Sequence, residues 1–323
     1  MDPVRIGLIG AGWVAERHLE AIARIEGVEA AGVCARTRER SVPLAAKHGV
    51  AIVADSVGEL VEKAQPDALM VLVSEEAVHD VALEAMRFGL PLFVEKPAGL
   101  TPEENHDLAC RAEEACLLSM VGFNRRFYSV FRKGLDIVRV HGRLLGVTVE
   151  GHERMWRIRE GGKFSDRVLD EWIYANSVHT IDLMRFFGGE VLSVHSLARR
   201  AYGEAHGDQF AALMELDGGA IGTYQANWYS PGGWRAVLYG DGVTVEFRPL
   251  EEGRWTGKSF ETHVIEPDPE DVGVKVGYVR QMEAFARLVR EGVLEPPALD
   301  LRGSYETMAL AQRMCAEVED VAR

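Results

Sequence analysis

Hydrophobic residues follow two textures along this 323-residue chain. Up to about residue 123, short apolar runs alternate with stretches of helical period; from Leu144 onward, apolar and polar residues alternate singly. The run 6–9 gives way to Gly10-Ala11-Gly12-Trp13-Val14-Ala15, after which Ala15, Leu19 and Ile22 recur at helical spacing. That is a strand, a tight turn and a helix. The unit repeats: strand Val28–Cys34, helix 38–48, strand 50–53, helix Val57–Ala64, strand 68–73, a helix from Val78 closed by Gly89, and strand 92–95. Thr101-Pro102-Glu103-Glu104 carries the cap, first-turn proline and acid of a helix start, and a last strand covers 118–123. Six strands alternating with five helices predict a doubly wound parallel sheet, an α/β Rossmann domain over 1–123.

The rest, 124–323, predicts an α+β domain with a large, mainly antiparallel open sheet. Leu145, Val147 and Val149 share one strand face, as do Phe210, Ala212, Met214 and Leu216; Ile221, Thr223, Gln225 and Asn227 stand opposite Tyr224, Ala226 and Trp228. Gly240-Asp241-Gly242 before Val243, Val245 and Phe247 is a hairpin signal. A free sheet face carrying Tyr224 and Trp228 is expected to bury itself against a second copy, giving a homo-oligomer. The acidic stretch 261–273 reads as a loop. Tyr278, Met282, Phe285 and Val289 give a helix stopped by Gly292, and Met308, Ala311, Cys315 and Val318 a last helix.

Charge narrows the partners. Lys plus Arg number 36 against 50 Asp plus Glu, a formal charge of −14, which disfavours nucleic acid and anionic membranes and suits a small-molecule substrate. Four cysteines without metal-ligand spacing predict no metal site and fit a reducing cytoplasm. No apolar run reaches membrane-spanning length.

In doubly wound sheets ligands lie beyond the carboxyl ends of the strands. The glycine turn makes Gly10, Gly12, Trp13 and Val14 candidate dinucleotide contacts. Strand two ends in Ala35-Arg36-Thr37-Arg38, with no carboxylate to grip a ribose, so NADP is favoured over NAD, with Arg36, Thr37 and Arg38 as its contacts and Arg40 beside them. Strand four ends in Ser74-Glu75-Glu76 with His79 one turn on, strand five in Glu95-Lys96-Pro97, and strand six in Asn124-Arg125-Arg126. Strand direction aims Lys96 and Asn124 at the nicotinamide end. His79 is either a cofactor contact or a satisfied helix histidine, and His179 either a catalyst or a packed core histidine. Trp156, Trp172, Tyr174 and Arg125 suit a hydroxyl-rich or anionic substrate, with Asn176 beside them.

IGLIGAGWVAERH, LFVEKPAGLTPEE and VGFNRRF resemble the glucose-fructose oxidoreductase, inositol dehydrogenase and MocA (Gfo/Idh/MocA) family, as does VHTIDLMRFFGG more loosely. The resemblance implies that Lys96 lies beside the nicotinamide and the substrate carbinol, with Glu95 in the same cofactor shell and Asn124 and Arg125 close by. It implies an acid/base role for His179 at the same reacting carbon, with Asp182 three residues on. Two positions depart: the family's Thr-Pro-Asn is Ser74-Glu75-Glu76 here, and its aspartate four residues before the histidine is Ala175. The expected function is hydride transfer between NADP, or NAD, and a sugar, polyol or related compound. The alternatives are a nucleotide-binding regulator or sensor and an NAD-recycling redox glycosidase.

Overall fold

A computed structural model of the protein describes residues 2–321. The chain divides into two compact units, 1–127 with 269–305, and 128–268 with 306–323. The boundary expected at 123/124 thus falls four residues later, and 269–305 returns to the first unit. The reason is packing: helix Tyr278–Glu291 contributes Tyr278, Met282 and Phe285 to the core that Ile6, Leu8 and Phe93 build.

The first unit alternates β1 (Val4–Ile9), α1 (Trp13–Ile22), β2 (Val28–Cys34), α2 (Arg38–His48), β3 (Val53–Ala54), α3 (Val57–Ala64), β4 (Ala68–Val71), α4 (Val78–Met86), β5 (Leu92–Val94), α5 (Pro102–Glu114) and β6 (Ser119–Val121). All pairings are parallel and the strand order is β3-β2-β1-β4-β5-β6, so the order reverses beside β1. Residues 68–71 of β4 are wholly buried, as a strand covered on both faces must be. Helix starts follow the capping residues: Ser56 accepts from Glu59 N–H and Thr101 from Glu104 N–H. The third strand is only two residues long and starts at Val53, later than expected, and Gly49 ends α2 in a left-handed turn.

In the second unit α6 (Ser129–His141) precedes β7 (Leu144–Gly151), α7 (Met155–Glu160), α8 (Asp166–Asp170), a π-helical turn Ile173–Ser177 and α9 (Val178–Gly188). Strands β8 (Val191–Arg200), β9 (Gln209–Leu216), β10 (Ile221–Asn227), β11 (Trp234–Gly240), β12 (Val243–Phe247), β13 (Gly253–Gly257) and β14 (Thr262–Ile265) follow, with β15 (Val318–Asp320) near the end. They form one nine-stranded sheet, β14-β13-β12-β11-β7-β10-β9-β8-β15, antiparallel except for β7/β10 and β8/β15. The stretch 261–273 therefore contains an edge strand as well as loop. The last helix, Leu301–Met314, stops short of Val318, which pairs with Ala198 instead.

Alternation fixed two faces, but the aromatic residues fall on the covered one. Tyr224 and Trp228 are buried, Tyr224 donating to or accepting from Thr180 of α9 at 3.0 Å, so they are core and not the free face. The opposite face presents Leu197, Leu213 and Ile221, which are 61%, 51% and 60% exposed. Leu213 sits in a cross-sheet row with His195, Thr223 and Thr148.

Candidate active site

The first unit supplies a nucleotide cradle. Gly10, at φ +123°, occupies the turn after β1, where a Cβ would stand 2.2 Å from the Leu72 carbonyl oxygen. Gly12 precedes α1 with no side-chain cap, and a Cβ there would meet nothing within 4 Å. The N–H groups of Trp13 and Val14 therefore open α1 toward unfilled space, at the positive end of the helix dipole. The residues present fit the pyrophosphate of a dinucleotide. Trp13 is exposed, with Arg17 lying over its ring at 5.7 Å.

At the end of β2, Arg36, Thr37 and Arg38 are all exposed. Arg38 already pairs with Asp55, whereas Arg36 makes no ion pair among the described residues. Ser74 is exposed in the turn after β4. His79 has both ring nitrogens engaged: its Nδ1 faces Asp80 (3.1 Å) and its Nε2 faces Asp107 of α5 (3.0 Å), a bridge that ties α4 to α5.

Beyond β5, Glu95 is buried and accepts from His18 Nε2 at 2.9 Å and from the Lys96 N–H at 2.9 Å. Lys96 is half-buried on that turn. Asn124 is buried past β6, and its amide donates to the Val276 carbonyl at 3.0 Å, so its side chain anchors the chain leading into helix Tyr278–Glu291. Arg125, half-buried, reaches Asn124 Oδ1 at 3.4 Å.

The second unit supplies the other candidate group. His179 is 4% exposed in the first turn of α9, its ring tilted against Trp234 at 6.1 Å between centroids. The π-helical turn before it widens the backbone where functional sites commonly sit. Ala175 in that turn is buried, and Glu171 does not replace the absent aspartate, because it pairs with His206 at 2.7 Å. A carboxylate does arrive from elsewhere: Glu153, 6% exposed just past β7, accepts from Asn176 Nδ2 (2.9 Å) and Ser177 Oγ (3.1 Å). Asp182 is spent on a buried network, accepting from Thr307, which accepts from Arg185, itself paired with Glu190.

A cavity of about 720 Å³ opens in this unit, lined by His152, Glu153, Arg154, Arg157, Trp234 and Arg248 among others. Trp172, Tyr174 and Trp156, three of the expected substrate contacts, are not among the residues that line it. Trp172 is buried against Phe164 (5.0 Å) and Tyr174 is buried with its hydroxyl 3.8 Å from Cys315 Sγ, so both pack the core. Trp156 is half-buried on α7, outside the cavity lining. Asn176 acts through Glu153. Sequence spacing missed Glu153, Trp234 and the arginines; the one available signal was His152-Glu153-Arg154 directly past a strand end.

No helix among the described residues is long and apolar enough to cross a membrane, and none of their side chains cluster as metal ligands. The chain matches a model described as an oxidoreductase family with an NAD-binding Rossmann fold over residues 4–123, and the GFO/IDH/MocA C-terminal domain over 137–246. It is 26% identical to scyllo-inositol 2-dehydrogenase (NAD(+)) of Bacillus subtilis, over 90% of this chain and 87% of that one. It is 22% identical to 4-carboxy-2-hydroxymuconate-6-semialdehyde dehydrogenase of a Sphingobium species, over 90% and 91%. Its fold superposes on a putative NADPH-dependent oxidoreductase of Desulfitobacterium hafniense with a TM-score of 0.83 at 15% identity, covering 98% of this chain and 96% of the other. With both halves matched by domains of a single lineage, the chain belongs to the GFO/IDH/MocA family of oxidoreductases.

Proposed function

We propose that the protein is an NAD(P)-dependent dehydrogenase or reductase acting on a sugar, polyol or related hydroxyl or carbonyl compound, with NADP preferred. The observation that carries this reading is the turn after β5, where a buried carboxylate holds the backbone of Lys96 at the carboxyl end of a dinucleotide-binding sheet. A nicotinamide, when bound, supplies the hydride acceptor or donor. Oxidation of a carbinol also releases a proton and builds negative charge on oxygen. Lys96 stabilises that alkoxide as a positive charge, and His179 takes the proton. Glu153 supplies the carboxylate that Ala175 lacks, orienting the turn before His179 through Asn176 and Ser177. Trp13 and Val14 present N–H groups to the pyrophosphate, and Arg36 meets the 2′-phosphate.

The free sheet face, with Leu197, Leu213 and Ile221 exposed, supports a homo-oligomer formed through it. Four free cysteines suit the cytoplasm. Ala175 favours one rival, a nucleotide sensor without turnover. Lys96→Ala separates the two: turnover of a sugar and polyol panel, followed by NADPH absorbance, is expected to fall at least about a hundredfold while NADPH binding changes little. Nucleotide binding without turnover of any panel member by the unmodified protein establishes the sensor instead.

A further inference from the structure

The second unit carries guanidinium groups that its own carboxylates do not neutralise. Several of its arginines are paired, among them Arg159 with Glu204, Arg185 with Glu190, Arg200 with Asp320, and Arg235 with Glu150 and Glu246. Arg154, Arg157 and Arg248 are exceptions. All three line the 720 Å³ cavity, and none makes an ion pair among the described residues, although the chain holds 50 acids against 36 bases. Arg154 donates once, to the Gly232 carbonyl at 3.3 Å. Two carboxylates share the cavity, Glu153, which accepts from Asn176 and Ser177, and Glu251, which accepts from the Tyr128 hydroxyl at 3.2 Å, so three guanidiniums stand against two acids. Burial holds the His152 pKa below the usual histidine value, against an opposing pull from Glu150 and with a smaller contribution from Arg248, and its Nδ1 accepts from the Asn227 N–H.

Arg154, Arg157 and Arg248 are exposed along one concavity, and an anion bound there gains from their combined positive charge. Trp234 joins them in the cavity wall and offers an apolar face to the C–H side of a ring. The same Trp234 contacts His179, and Glu153 bonds the turn before His179, so the cavity adjoins the candidate proton acceptor.

The geometry points to a substrate that is a hydroxylated compound bearing an anionic group, a carboxylate or a phosphoester, held by Arg157 and Arg248 with help from Arg154. This deepens the oxidoreductase reading and rests on it for the reacting hydroxyl. It also reconciles an acidic protein with an acidic substrate, since local potential in a cleft outweighs distant net charge once salt screens the latter.

Calorimetric titration and NAD(P)H absorbance on the full chain test it, with D-glucose, D-glucuronate, D-glucose 6-phosphate and myo-inositol as probes. The expected result is binding of at least one charged probe about tenfold or more tighter than glucose, weakening with salt. Glucuronate and glucose 6-phosphate separate carboxylate from phosphoester. In R157Q/R248Q that advantage is expected to drop by about tenfold or more, while binding of the neutral probes and the melting temperature hold. Equal or tighter binding of glucose, no binding of either charged probe, or an advantage that survives the double substitution overturns the assignment. Arginine-dependent binding of a charged probe without turnover sustains the cavity and overturns the oxidoreductase reading; turnover without charge preference does the opposite.

Discussion

His18 Nε2 lies 2.9 Å from Glu95 Oε1, with the imidazole fully buried between Phe93 and Tyr278. A carboxylate only accepts, so Nε2 carries the hydrogen and donates. The other oxygen of Glu95 accepts from the Lys96 N–H, and α1 thereby braces the turn that carries the candidate lysine.

Removing that brace leaves a buried carboxylate short of a donor. His18→Ala is expected to destabilise the protein by about 1–3 kcal/mol, measured by urea unfolding. Nucleotide affinity is expected to fall several-fold in a fluorescence titration, with partial recovery in His18→Asn. Unchanged stability in the alanine variant removes the bracing role.

Arg36, exposed and without an ion pair among the described residues, carries the cofactor expectation further than Arg38, which Asp55 already engages. Arg36→Ala is expected to raise the Kd for NADPH by about tenfold and leave that for NADH nearly unchanged. Equal affinities for the two nucleotides in the unmodified protein contradict the NADP preference.

Glu153→Gln keeps the shape but removes the charge beside Asn176 and Ser177. The expected outcome is a fall in kcat of about tenfold or more, with a shifted acidic or basic limb in the pH–rate profile and little change in KM. A change confined to KM assigns Glu153 to substrate binding instead.

His206 has its pKa raised from 6.5 to about 9, first by its hydrogen bond with Cys315 and then by Glu171, against the opposing effect of burial. A pKa raised in the folded state stabilises fully below the unfolded value and loses that contribution as pH climbs through the folded one. Stability is therefore expected to decline between pH 6.5 and about 9, by an amount on the order of 2 kcal/mol. Thermal melts across that range check it, and Glu171→Gln is expected to flatten the decline.

On the free sheet face, Leu213→Asp with Ile221→Asp is expected to lower the particle mass toward that of a single chain, read by light scattering after gel filtration. Both positions are exposed, so folding is expected to persist. A single-chain mass for the unmodified protein ends the oligomer expectation.

Much of this was legible because it is local. The turn at Gly10 and Gly12, the Thr101 cap and the strand end before Glu95 each depend on a few consecutive residues and lie where the pattern set them, while the last strand ends at Val121, two residues earlier than expected. The misplacements were non-local. Alternation sorted Tyr224 from Thr223, but α9 alone determined which face was covered. The partners of three candidates are likewise invisible to local pattern: α5 brings Asp107 to His79, Phe164 lies against Trp172, and Cys315 against the Tyr174 hydroxyl.

The sequence by itself determined the alternation of strands and helices in the first unit, the glycine turn and the family resemblance, because hydrophobic period and turn chemistry act over a few residues. Tertiary structure alone decided that Glu153 answers for Ala175 and that Arg157 and Arg248 share a cavity. Those pairings join residues that are not neighbours along the chain, brought together by strand pairing of β7, β11 and β12 and by the packing of α9 on β7.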